Sequence, residues 1–171
     1  MVLTPGRVNP TAYRLRLGHG VIQNPIPSQQ IVGVTDGSNA ASGFIGEYIT
    51  SGPVSGVALS NGVAATAASI TLTAGDWDIS ANLELAPAGT TTVAGLFGCI
   101  SSVTNALTPA EGGSGFTVLF CSFTTGLDIF LPIAPCRVNI TTPTTYYLVT
   151  EVFFSVSTMT GGGIIKARRV R

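Results

Sequence analysis

Charge is what this sequence has least of. Lys, Arg, Asp and Glu together make up 9% of its 171 residues, against ~25% in an average soluble domain, so the solvent faces of a helical bundle have little to be written in. Histidine occurs once, as His19, and cysteine three times, as Cys99, Cys121 and Cys136, with no CxxC pair. A zinc site therefore lacks ligands. Buried thiols are expected at the three positions, with a disulfide formed after release from the cell as the alternative. No apolar run approaches the ~20 residues that cross a bilayer. The start, Met1-Val2-Leu3-Thr4-Pro5-Gly6, has no basic stretch leading into an apolar one, so no secretory leader is expected and synthesis in a cytosol follows.

What is present is apolar, small or hydroxylated. Hydrophobic residues make up 45%, with 21 Gly and 10 Pro, enough to build a core and without the G-X-Y period of collagen. At this length one domain and an arm are expected, burying roughly 70% of the unfolded surface. An all-β chain with its wet face in Thr, Ser, Asn and Gly is the class that remains. Charge is also segregated: +3 over residues 1–30, −7 over 31–136 and +4 over 137–171. Basic ends pairing with the acidic middle, within one chain or between copies, is the expected reading, ahead of two phosphate-binding ends.

Residues 1–43 read as an extended N-terminal arm, punctuated by Pro5, Pro10, Pro25 and Pro27. Within it Tyr13, Leu15 and Leu17 alternate with Arg14 and Arg16, a short strand that needs a sheet to join. With Arg7, these residues are the candidate attachment surface. From residue 44 to 171 the chain reads as a β-sandwich of jelly-roll type. Strands are expected over 44–50, 54–60, 69–73, 76–85, 92–100, 115–123, 127–133, 137–141, 146–158 and 163–170. The clearest is 76–85, where Trp77, Ile79, Ala81, Leu83 and Leu85 occupy one face and Asp76, Asp78, Ser80, Asn82 and Glu84 the other.

Two later strands are apolar on both faces. Phe116, Val118 and Phe120 alternate with Thr117, Leu119 and Cys121, and Tyr147, Val149 and Phe153 with Leu148, Val152 and Phe154. One face meets the opposite sheet; the other calls for a loop, the arm or a second subunit. Phe153 and Tyr147 are therefore candidate oligomer contacts. Lys166, Arg168 and Arg169 join them, because a basic last strand suits a sheet edge or an acidic neighbour.

Chemistry that would name an enzyme is missing. His19 sits between glycines with no G-x-S-x-G elbow in the chain. Asp76 and Asp78 share a strand face, a spacing open to Ca²⁺ or a glycosidic bond, but solvated side chains are the simpler expectation. Asn139-Ile140-Thr141 matches a glycosylation sequon without the secretory context it needs. Gly161-Gly162-Gly163 reads as a turn rather than a phosphate cradle. No cofactor or metal is expected.

Four segments carry a resemblance: Leu72-Thr73-Ala74-Gly75-Asp76-Trp77-Asp78-Ile79-Ser80, Gly89-Thr90-Thr91-Thr92, Tyr146-Tyr147-Leu148-Val149 and Ile165-Lys166-Ala167-Arg168-Arg169-Val170-Arg171. Together they resemble short structural proteins of tailed-phage and prophage virions, those described as tail fibre or virion proteins, over residues 44–171. The resemblance implies a compact jelly-roll sandwich, trimeric, displayed outward by an N-terminal attachment segment, and brings no catalytic residues.

The expected function is thus a non-enzymatic virion component of the tail or its fibres, assembled in the host cytoplasm. Asn105, Glu111 and Ser114 are candidate receptor-facing loop residues. Its expected partners are itself, as a homotrimer, other virion proteins through the arm, and a host surface glycan or protein. Membrane insertion and nucleic-acid binding are not expected. A capsid decoration protein is the second reading. A carbohydrate-binding module recruiting Asp76, Asp78 and Trp77 is the third, weakened because Trp77 is expected to face the core.

Overall fold

The apolar stripe of residues 76–85 dictates where the interior lies. In the computed structural model, which describes residues 16–17, 20–21, 36–110, 115–124 and 126–171, Trp77, Ile79, Leu83 and Leu85 are completely buried. The strand that carries them pairs on both sides. Residues 1–36 and 37–171 form two separate units. In the first, only a minimal antiparallel pair is described, β1 (Arg16–Leu17) against β2 (Gly20–Val21), with Arg16 opposite Val21 and Leu17 opposite Gly20.

Among the described residues the second unit contains nine strands: β3 (Tyr48–Thr50), β4 (Val54–Leu59), β5 (Ala65–Leu72), β6 (Gly75–Pro87), β7 (Thr92–Ser101), β8 (Phe116–Thr124), β9 (Ile129–Ile140), β10 (Thr144–Ser155) and β11 (Met159–Arg169). They form two antiparallel sheets. One runs β5-β10-β7-β8; the other runs β3-β11-β6-β9, with β4 also on β11. β3 pairs with the second half of β11 and β4 with the first half, so the two are one edge strand broken at Ser51-Gly52-Pro53, where proline cannot donate to a ladder.

Counting from β4, one sheet orders the first, eighth, third and sixth strands and the other the second, seventh, fourth and fifth. This is the double Greek key of a jelly roll. The fold is an all-β sandwich, as expected. Between the sheets, Trp77, Leu83, Ile165 and Ile133 meet Leu72, Leu96, Ile100 and Leu148 in one core. Each such side chain contributes ~1.5–3 kcal/mol on burial.

Three expectations about local structure are corrected. The glycines Gly161–Gly163 are not a turn but lie within β11. A Cβ at Gly162 would fall on the Val54 carbonyl oxygen, and one at Gly163 on that of Asn82, so the neighbouring backbones leave room only for hydrogen. The last strand is not at an edge: β11 is flanked by β6 along its whole length and by β3 and β4 on its other side. The two expected strands at 127–133 and 137–141 are one, β9, because an edge position tolerates Pro132 and Pro135. A bulge opposite Ser80 absorbs the extra residues between Ile133 and Cys136.

Trp77 is buried completely, and its Nε1–H donates to the Thr73 carbonyl at 2.9 Å. Trp77→Ala is expected to cost about 3–5 kcal/mol in denaturant unfolding; a loss below ~1 kcal/mol would mean that the cavity closes and the indole is not a keystone of the core.

Candidate functional site

Charged groups buried in an apolar fold need partners, and the C-terminal strand shows how they are found. On β11 every second residue points inward. After Ile165 and Ala167 comes Arg169, only 5% exposed. Its guanidinium lies 4.3 Å from the Trp77 ring centroid, and its Nε donates to Glu47 Oε2 at 2.9 Å. Its remaining nitrogens donate to the Ala74 carbonyl at 2.8 Å and the Thr73 hydroxyl at 2.6 Å. The space for this head group is made by Gly75, at φ 148°, where a Cβ would collide with Arg169 Nη1. Burial pushes the Glu47 carboxyl up, but the Gly43 amide and Arg169 outweigh it and hold the pKa below its ordinary value. Arg169 is thus engaged inside its own chain and is unavailable as an oligomer contact, contrary to expectation.

A second cluster sits beside it on the outer face of the five-stranded sheet. Asp76, on β6, accepts from Arg137 Nε at 2.8 Å and Nη2 at 2.5 Å, and from Arg171 Nε at 2.6 Å. These two arginines hold its carboxyl well below the usual carboxylate range. They also bury it: its side chain is 6% exposed, although theirs are 54% and 73%. Asp76 is therefore not the solvated residue the sequence predicted. Its oxygens are taken, which leaves Asp78 alone as an exposed carboxylate on that stretch of β6. Basic end and acidic middle meet within the chain, as the charge segregation predicted.

The outer face of the four-stranded sheet is apolar around Phe97, with Glu151 opposite it on β10. Phe97 on β7 packs edge-on against Phe120 of β8 at 5.3 Å and Phe153 of β10 at 5.7 Å, and tilted against Phe116 at 6.4 Å. At one end this face is covered. Residues 102–110 fold back beside β5 and β7: Asn105 Oδ1 accepts from the Thr66 amide at 2.8 Å, and the Ala110 amide donates to the Ile100 carbonyl at 2.9 Å. Cys99 and Val149, opposite each other on this face, are fully buried, and burial pushes the Cys99 thiol up to about 11, an amide of Thr108 working against the shift. At the other end the face is open, with Phe120 74% and Phe153 40% exposed.

Of the residues singled out from sequence, Arg7, Tyr13, Arg14, Leu15, His19, Glu111 and Ser114 lie outside the described residues, as does the Cys121 side chain; Arg16 and Leu17 are described only by their pairing. Asn105 lies at the surface at φ 51°, but its side chain staples the loop to β5. Tyr147 is half-buried on the outer face of β10, and Lys166 and Arg168 project from the outer face of β11. Cys136, like Cys99, is a buried thiol. Sequence reasoning missed Glu47 and Tyr48, whose partners arrive only with the last strand; the one signal was an acid next to an aromatic at a strand start.

No protein-family model matches the chain, and no curated protein matches it by sequence. Solved structures do. A chain of the T13 infectious bursal disease virus particle aligns with a TM-score of 0.44 at 16% identity, over 72% of this chain and 30% of that one. A chain of the T=1 particles derived from the same virus aligns with a TM-score of 0.40 at 16% identity, over 88% of this chain and 37% of that one. The VP2 subviral particle of that virus gives a TM-score of 0.34 at 16% identity, over 72% of this chain and 36% of that one. The chain spans about a third of the length of these viral chains.

Because the folded pKa of Asp76 lies below its unfolded value, the carboxylate stabilises the fold fully above about pH 4 and loses that contribution as pH falls through the lower, folded pKa; Glu47 acts with the same sign. Asp76→Asn is expected to lower stability at pH 7 and to flatten the acid limb below about pH 4, as read by denaturant unfolding at a series of pH values.

Proposed function

We propose that the chain is a non-enzymatic structural subunit of a virion, held to copies of itself by the side of the sandwich where β8 and β9 lie. The observation that carries this reading is the concentration of exposed apolar residues there. Val118, Leu119 and Phe120 on β8, Leu127 in the connection and Phe130 on β9 are all exposed, Leu127 at 77% and Phe130 at 67%. Phe153 extends the patch across the outer face. Exposed apolar residues gathered along one side of a sandwich in this way mark an interface. At ~25 cal/mol per Å², covering three such aromatics contributes on the order of 10 kcal/mol before association costs.

The jelly-roll strand order supports the virion setting, since capsid and lectin domains use this architecture. The resemblance of residues 44–171 to short phage structural proteins supports the finer reading. On that reading the chain is a homotrimeric component of a tailed-phage tail or fibre, its sandwich facing outward and residues 1–43 joining it to other virion proteins.

The replacements Phe120→Ser and Phe130→Ser together are expected to give a folded monomer in size-exclusion chromatography with light scattering, where the unaltered chain runs as a trimer; a solitary unaltered chain would overturn the reading. Deleting residues 1–30 is expected to leave a soluble sandwich that no longer enters particles. The copy number on a stained gel of purified particles separates the settings: few copies fit the tail, whereas dozens to hundreds would move the assignment to capsid decoration.

A further inference from the structure

The other sheet has a different kind of outer face. Two adjacent rows cross it. In one, Tyr48 of β3, Arg168 of β11, Asp78 of β6 and Arg137 of β9 lie side by side in register. In the next, Lys166 of β11 lies beside Ser80 of β6, and the bulge of β9 brings Pro135 alongside. Tyr48, Asp78, Ser80, Pro135, Lys166 and Arg168 line one shallow groove.

What distinguishes the groove is that its polar groups are not spent on each other. Arg137 is drawn along β9 to Asp76. Among the described residues the ion pairs are Arg137–Asp76, Arg169–Glu47 and Arg171–Asp76, so Asp78, Lys166 and Arg168 enter none, although Arg168 and Asp78 are cross-strand neighbours. Two cations, one carboxylate, one hydroxyl and one phenol ring thus line one groove without an ion pair among them, and Asp78 feels only the charge of Arg137, whose guanidinium is bound to Asp76.

We infer that this groove binds an acidic saccharide, a sugar carrying a carboxylate. Arg168 and Lys166 supply donors for the carboxylate, the guanidinium in a geometry that suits it bidentately. Asp78 and the Ser80 hydroxyl accept from the sugar's hydroxyl groups. Tyr48 offers a ring against which the apolar face of a pyranose lies, with Pro135 as the opposite wall. Asp78 also decides against other anions. Nucleic acid would set a chain of phosphates against it, and an acidic peptide brings carboxylates but no array of hydroxyl donors to match it. The groove is on the opposite sheet from the Phe97, Phe120 and Phe153 cluster; Phe130 shares its sheet but lies beside Glu84, away from the groove residues, so the inference does not depend on the assembly reading.

The test is titration calorimetry of the full-length protein at low salt, where surface charges are least screened. The probe is a tetrasaccharide of alternating glucuronic acid and N-acetylglucosamine. Its carboxyl-reduced form, hexaglutamate and a short single-stranded DNA are the comparisons. The uronate is expected to bind, and the reduced sugar to bind at least about tenfold more weakly, the loss of one charge-assisted pair. Arg168→Gln and Lys166→Gln are each expected to weaken binding by about the same factor, and Asp78→Asn to weaken the uronate while strengthening the DNA. All three side chains lie on the outer face, and unchanged melting temperature and oligomeric state are the check that fold and assembly survive. No heat with the uronate, equal binding of the reduced sugar, indifference to these variants, or hexaglutamate or DNA binding as tightly as the uronate would each overturn the inference.

Discussion

An interior shared by two sheets assigns an inside and an outside to every strand, and in this chain the assignment is made first by β6. Its stripe of Trp77, Ile79, Leu83 and Leu85 is sealed from water, and β11 and β9 must match its alternation residue by residue to complete the sheet. That match carries Arg169 to an inward position at the end of β11. A lone arginine there would be intolerable. It is accommodated because Trp77 presents a ring face, Glu47 a carboxylate and the 73–74 turn two oxygens. The strand that builds the core therefore also builds the pocket for the one cation the core contains among the described residues.

What could be read in the sequence divides along the same line. Period-2 alternation reports which face a residue takes, and so the faces of β6 were legible from the residues alone. Alternation is silent about lateral neighbours. The basic last strand therefore looked like an edge, although strand order puts it between β6 and the broken strand β3–β4. The glycine triplet looked like a turn for the same reason: the atoms that demand hydrogen at Gly162 and Gly163 belong to Val54 and Asn82, far away along the chain. Asp76 read as solvated because Arg137 and Arg171, which cover it, are equally remote. The jelly roll itself was readable as a class, from strand spacing and turn composition, but not as an order of strands.

The two outer faces are chemically opposite. One is phenylalanine-rich and only partly roofed by residues 102–110; the other carries Asp78, Lys166 and Arg168 on a strand pair whose inner side is apolar except for Arg169. Charge segregation along the sequence serves this division. The basic C-terminal end neutralises the acidic middle at Asp76 and Glu47, and Lys166, Arg168 and Asp78, which enter none of these pairs, gather in a single groove. The groove and the exposed phenylalanines thus use different side chains.

The two prolines of β9 have a further effect. Strand β9 is the free margin of the five-stranded sheet, and a free margin ordinarily offers its amides to any extended segment that drifts past. Pro132 and Pro135 lack those amides, and the bulge beside them breaks the even spacing that a templating strand would need. Growth of a continuous ribbon from molecule to molecule is thereby interrupted on this border. An edge that would otherwise be a template is thus left with two gaps in its row of donors.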